Sequence, residues 1–123
     1  MRTDNYLFIK NFKPDLWPAG VPTGSTRGIS FSDCDYGPTK QFILQNRNDA
    51  NIQKFYDLAF AKRPKHELYD LKKDPEQLNN LTNNEDYDEI RRELSDKLNK
   101  VLLNSDDPRI MQDECGFKKF KFY

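Results

Sequence analysis

Apolar and polar positions alternate with a period of two in two short stretches of the chain. Asn5 to Phe12, N-Y-L-F-I-K-N-F, sets Tyr6, Phe8 and Lys10 on one face against Leu7 and Ile9 on the other. Its aromatic and β-branched content predicts a first strand within residues 1–12, buried on both sides. That strand starts so soon after Met1 that almost no chain is left to pair it on that side. Glu67 to Leu71, E-L-Y-D-L, alternates Leu68 and Asp70 against Tyr69 and Leu71 and predicts a second strand, closed by the turn Lys72, Lys73, Asp74 and Pro75.

Between the strands the pattern changes twice. Residues 13–38 carry Pro14, Pro18, Pro22 and Pro38 with Gly20, Gly24, Gly28 and Gly37, a density that forbids a helix and predicts a long irregular loop. Trp17, Phe31 and Tyr36 within it require part of the loop to pack. Over residues 39–61 the period becomes helical. Thr39 to Arg47 follows Pro38 at the first helical position, and Asp49 to Ala61 places Ile52, Phe55, Tyr56 and Ala59 at spacings of three and four. Residues 84–104 form a longer amphipathic helix, capped by Asn83 or Asn84, with Tyr87, Ile90, Leu94, Leu98 and Val101 as its apolar stripe. Between strand and helix, Leu78 and Leu81 read as anchors to the core, and the asparagines around them as partners for loose backbone groups. The expected architecture is α+β, a small antiparallel sheet shielded by the final helix in a single domain, followed by a tail over residues 105–123.

Composition narrows the class. A chain of 123 residues is the size of one domain and should bury roughly two thirds of its unfolded surface, enough to fold without a disulfide framework or structural metal. Lys plus Arg equals Asp plus Glu at 20 each, so there is no net field to collect nucleic acid or an anionic membrane, and neither is expected as a partner. The tail alone is lopsided. Lys118, Lys119 and Lys121 stand among Phe117, Phe120, Phe122 and Tyr123, a pattern read as the solvated face of an edge strand. Cys34 and Cys115 allow at most one bridge and are expected as free thiols. No apolar run approaches a membrane span.

The usual catalytic signatures are missing: there is no G-x-S-x-G, no Walker loop and no G-x-G-x-x-G. His66 stands alone in K-R-P-K-H-E-L and reads as a solvated surface residue. Asp33, Cys34 and Asp35 are the most suggestive cluster, but two carboxylates fall short of the six to eight oxygens that calcium takes. They fit a surface turn or a substrate-facing loop. Asn80, Leu81 and Thr82 spell a glycosylation sequon.

The order of these pieces resembles a known family. E-L-Y-D-L-K-K-D-P-E-Q-L-N-N-L, Glu67 to Leu81, is similar to the signature near the C-terminus of type I sulfatases. M-R-T-D-N-Y-L-F-I-K-N-F, Met1 to Phe12, resembles the family strand written R-T-x-x-Y-K-L-I. The blocks K-P-D-L-W-P-A-G, G-P-T-K and F-Y-D-L-A-F-A-K-R-P resemble the bacterial branch that is similar to heparan N-sulfatases, and the resemblance covers Met1 to Arg109.

The resemblance implies a C-terminal subdomain with a sheet of about four antiparallel strands, set beside an N-terminal catalytic domain absent from this chain. In the family that domain carries the C-x-P-S-R or S-x-P-S-R motif, whose Cys or Ser becomes formylglycine, and the calcium ligands. Cys34 is followed by D-Y-G-P and Cys115 by G-F-K-K, so no catalytic or metal residue carries over. The whole enzyme is implied to hydrolyse sulfate esters or sulfamates of glycosaminoglycan type, in a periplasmic or secreted setting, with this chain inactive alone. The loop before G-P-T-K is implied to border the substrate cleft. Asp33 and Asp35 would face sugar hydroxyls, with Thr39 beside them, and Lys40 would meet a sulfate or carboxylate. Two other readings stand beside this one: a separate sulfated-glycan-binding or assembly module on the same fold, and a small independent hydrolase using Asp33 or His66. An exposed apolar surface beside the first strand, able to drive self-association into a homo-oligomer, is expected if the subdomain lacks its partner.

Overall fold

The computed structural model describes residues 1–23 and 29–111. In chain order the elements are β1 (Tyr6–Lys10), α1 (Pro38–Gln45), α2 (Ala50–Ala59), β2 (His66–Asp70), α3 (Asp88–Asn104), entered through a 3-10 turn Glu85–Tyr87, and α4 (Pro108–Met111). The architecture is α+β. The expectations for Gly24, Gly28, Cys115 and the lysines of the tail lie outside the described residues. Among the described residues no helix is long and apolar enough to cross a membrane. The chain divides into two compact units, Pro14–Pro64 and the remainder.

In the unit built on the sheet, β1 and β2 pair antiparallel with Tyr6 opposite Asp70, Phe8 opposite Leu68 and Lys10 opposite His66. The period of two puts those six side chains on one face and Leu7, Ile9, Glu67 and Tyr69 on the other. Phe8, Leu68 and Leu94 of α3 form the buried core, with Tyr6, Leu81, Tyr87, Ile90 and Leu98 packed around it. Leu102, four residues after Leu98, continues that stripe and is buried. Val101, expected to close the stripe, is 52% exposed. Leu78 also lies out at the surface, so Leu81 alone anchors the connection.

Where about four strands were expected, the sheet among the described residues has two. The physical reason is visible at its edges, where segments too short to count as strands occupy the outer positions. Residues 1–3 fold back on β1: the Phe8 N–H donates to the Met1 carbonyl at 2.8 Å, the Met1 amine to the Phe8 carbonyl at 2.7 Å, and the Thr3 N–H to the Tyr6 carbonyl at 2.9 Å. The chain before β1 is therefore long enough to pair it after all. Beyond β2, Asn80 Oδ1 accepts the Leu68 N–H at 3.0 Å and the Leu81 N–H donates to the Leu68 carbonyl at 2.8 Å.

The turn after β2 is built on two carboxylates. Asp70 Oδ1 accepts the N–H groups of Lys72 and Lys73, each at 3.1 Å. Asp74 accepts those of Asn79 at 2.7 Å and Leu78 at 3.1 Å, and the Asn79 bond first, with Leu78 helping, holds its carboxyl below the ordinary range. Asn84 then caps the 3-10 turn by accepting the Asp86 N–H.

The unit Pro14–Pro64 has an aromatic core. Phe31 is buried, with its ring centroid 4.9 Å from Phe60, 5.7 Å from Trp17 and 6.2 Å from Tyr56. Asp49 caps α2 through the Asn51 N–H. Ile52, Tyr56 and Phe60, each four apart, are the covered positions of this segment, whereas Phe55 and Ala59, expected on the inner face, are exposed.

Candidate functional site

The loop that leads into α1 is fixed by four local devices. Gly20 adopts φ +86°, and a Cβ there would stand 3.0 Å from the Ser32 backbone nitrogen, so the two strands of loop approach closely only because this residue has no side chain. The Phe31 N–H donates to the Val21 carbonyl at 2.8 Å and the Asp33 N–H to the Ala19 carbonyl at 3.2 Å. Phe31 itself sits at φ 50°, a left-handed conformation that costs a side-chain-bearing residue roughly 1–2 kcal/mol. The aromatic cluster around its ring holds it there.

The fourth device is Lys40. Pro38 starts α1, and helical side chains lean toward the N-terminus, so Lys40 in the first turn lies back over the loop. Its Nζ donates to the carbonyls of Phe31 at 2.7 Å and Cys34 at 2.8 Å, with the residue only 6% exposed. The sequence-predicted set thus divides. Lys40 is spent on the backbone, while Asp33, Asp35 and Thr39 stand exposed on the braced loop.

A cleft of about 300 Å³ opens beside it, lined by Ile29, Ser30, Tyr36, Lys40, Gln41 and Leu44 with Gln45 at its end. The Gln41 amide donates to the Tyr36 hydroxyl. Asp33, Asp35 and Thr39 are not among its walls. Tyr36, Gln41 and Gln45 are the members that sequence reading missed; the available signal was two glutamines four apart on one helical face, just after an aromatic residue in a Gly-Pro loop. A space of this size with hydroxyl and amide groups can hold one small polar ligand by hydrogen bonds. It contains no activated nucleophile with a base beside it.

His66 departs from its expected solvated position. The ring is half-buried and stacks on Phe8 at 5.7 Å with a 26° tilt. Burial first, then repulsion from Lys65, Lys10 and Arg91, holds its pKa below the ordinary 6.5. It lines a second cleft of about 290 Å³ with Phe8, Arg91, Arg92, Ser95 and Asp96.

Among the described residues no group of three or more His, Cys, Asp or Glu side chains could hold a metal ion. Cys34 also lacks the Pro-Ser-Arg context of a formylglycine precursor. Among the described residues, then, no set of side chains fits calcium or formylglycine.

Comparison with known proteins adds two findings. Residues 46–104, from just before α2 to the end of α3, match the family described as N-sulphoglucosamine sulphohydrolase, C-terminal. The ulvan-active sulfatase of Formosa agariphila is 28% identical over 123 residues, an alignment that covers 93% of this chain and 18% of that protein. This chain therefore spans less than a fifth of that relative's length. No solved structure matches. With the Asp-Pro turn between β2 and α3 inside the matched segment, and a sulfatase aligned along nearly the whole length, the chain is similar to the C-terminal subdomains of sulfatases.

Proposed function

We propose that this subdomain borders the substrate cleft of a sulfuric ester or sulfamate hydrolase, with catalysis supplied by an N-terminal domain that holds the formylglycine and calcium. The observation that carries the reading is the loop ahead of α1, whose Lys40 clamp keeps Asp33, Asp35 and Thr39 exposed while the cleft of Tyr36, Gln41 and Gln45 opens alongside. Rigid presentation of exposed carboxylates suits the hydroxyls of a sugar, because each carboxylate oxygen accepts hydrogen bonds and offers none. Lys40 serves as the positioning residue for that loop. On its own the chain leaves sulfate esters untouched.

In the same reading, residues 1–3 and 80–82 hold the places of the third and fourth strands of a sheet of about four, and the amphipathic α3 shields one face of it. Self-association through an apolar surface beside β1 is expected when the partner domain is absent; exposed apolar residues such as Val101 and Leu103 on α3, and Phe42, Phe55 and Leu58 on α1 and α2, lie outside that strand. The test is the full-length sulfatase carrying Asp33→Asn with Asp35→Asn, assayed on a sulfated oligosaccharide and on a small chromogenic sulfate ester. A raised KM on the oligosaccharide with kcat unchanged, and no effect on the small ester, supports the reading. Unchanged kinetics on both substrates refutes it.

A further inference from the structure

A different part of the molecule holds a second cleft with a cationic lining. On the α3 face of the sheet, His66 and Lys10 are cross-strand partners, Lys65 immediately precedes His66, and Arg91 and Arg92 line the His66 cleft from α3. The surrounding acids do not balance these groups. Asp88 alone answers both guanidiniums, bonding Arg91 Nη2 at 2.7 Å and standing 3.8 Å from Arg92 Nη2. Asp96 is the one carboxylate among the lining residues, and Lys10 Nζ is turned to the neutral Asn99 amide at 2.8 Å. Arg91 Nε is buried without a hydrogen-bond partner among the described residues. Arg91 also lines the cleft, and an oxygen-bearing ligand settling against its guanidinium would supply acceptors that the protein leaves short.

We infer that the cleft between His66 and the Arg91–Arg92 pair binds a tetrahedral oxyanion, a sulfate or phosphate group, free or as an ester. Arg supplies planar donors suited to such oxygens, the Ser95 hydroxyl can donate beside them, and stacking on Phe8 fixes the imidazole as a wall of the site. Protonation of His66 adds a further positive charge facing Lys10, Lys65, Arg91, Arg92 and Asp96, so the anion and the proton bind cooperatively. The inference rests on these residues and not on the cleft role proposed for the loop ahead of α1.

The chain holds one histidine, so its ring resonance reads this site without assignment ambiguity. Inorganic sulfate titrated at constant ionic strength against sodium chloride should shift that resonance saturably and raise the imidazole midpoint, with binding in the millimolar range. Arg92→Gln, at an exposed position that should not disturb folding, should weaken binding roughly tenfold, the loss expected for one charge-assisted hydrogen bond. His66→Gln should bind sulfate with no pH dependence between 5 and about 7.5, read by calorimetry. Inorganic phosphate, a sulfated monosaccharide and its unsulfated counterpart separate the sources: tighter binding of the sulfated sugar assigns an ester ligand, and equal binding of the free ions assigns an ion site. Equal shifts in sulfate and chloride, or unchanged affinity in Arg92→Gln, overturn the inference.

Discussion

Replacing Lys40 by methionine keeps the length of the side chain and removes only its charge and donors. Two charge-assisted hydrogen bonds disappear, to the carbonyls of Phe31 and Cys34. Each such bond contributes roughly 1.5–3 kcal/mol. Two effects reduce the loss. The Phe31 carbonyl keeps the Cys34 N–H at 3.1 Å, and the desolvation cost of a buried ammonium is relieved. A net destabilisation on the order of 2 kcal/mol follows, which moves a urea midpoint down by roughly 1 M. Trp17, the one tryptophan in the sequence, lies 5.7 Å from the Phe31 ring and reports the event by fluorescence. Amide exchange should quicken around Phe31 to Cys34 and stay unchanged at β1 and β2. A midpoint equal to or above that of the unaltered protein would show that burying the ammonium costs as much as its bonds return, and the clamp would lose its standing as the brace of the loop.

Other expectations are as direct. His66 should titrate below 6.5 by NMR in sulfate-free buffer; because folding lowers its pKa, its stability contribution is complete above 6.5 and is lost as pH falls through the folded midpoint. His66→Phe should therefore flatten the acid side of the stability profile near that pH, and an unchanged profile would count against the effect. Leu68→Ala should cost about 2–5 kcal/mol in denaturant unfolding, since Leu68 is fully buried against Phe8 and Leu94. Asn80→Ala should cost about 1–2 kcal/mol by leaving the Leu68 N–H without its acceptor, with faster exchange at that amide as the local signature.

The two strands and the last helix were legible because their apolar positions follow a simple period, although burial in β2 also takes in Glu67 on the opposite face. Tyr6 and Phe8 could be assigned to one face of β1, and Leu68 and Asp70 to one face of β2, from alternation alone; only the register Phe8 to Leu68 joins those faces. The period was less informative where an element ends. Val101 and Leu102 compete for the last inward position of α3, and four-residue spacing from Leu98 favours Leu102. In the same way Phe60, just past the end of α2, takes the inward place expected for Phe55 and Ala59, because it extends the row of Ile52 and Tyr56. The candidate site was legible by residue type and not by role. A lysine after a Gly-Pro turn reads as a free charge, and only the fold reveals that the Phe31 and Cys34 carbonyls already occupy it. His66 looked solvated for a similar reason, since its lysine neighbours in sequence say nothing of Phe8 across the sheet.

The edges of the sheet connect this fold to its second cleft. A two-stranded sheet is marginal alone and exposes a row of unpaired donors and acceptors along each side. Beside β1 the covering groups are mostly main chain, from Met1 and Thr3, with the Thr3 hydroxyl also accepting the Tyr6 N–H at 3.0 Å. Beside β2 the cover depends on a side chain: Asn80 accepts from Leu68 through Oδ1 and donates to the His66 carbonyl through Nδ2 at 3.3 Å, where the Thr82 hydroxyl also donates. Aspartate there would keep the acceptor and lose the donor, and alanine would lose both. Asn80 and Thr82 of the sequon are thus both engaged in edge pairing. The residue whose carbonyl they restrain is the same His66 whose ring faces Arg91 and Arg92. Closing the open edge of β2 therefore also sets the backbone on which that cationic cleft is built.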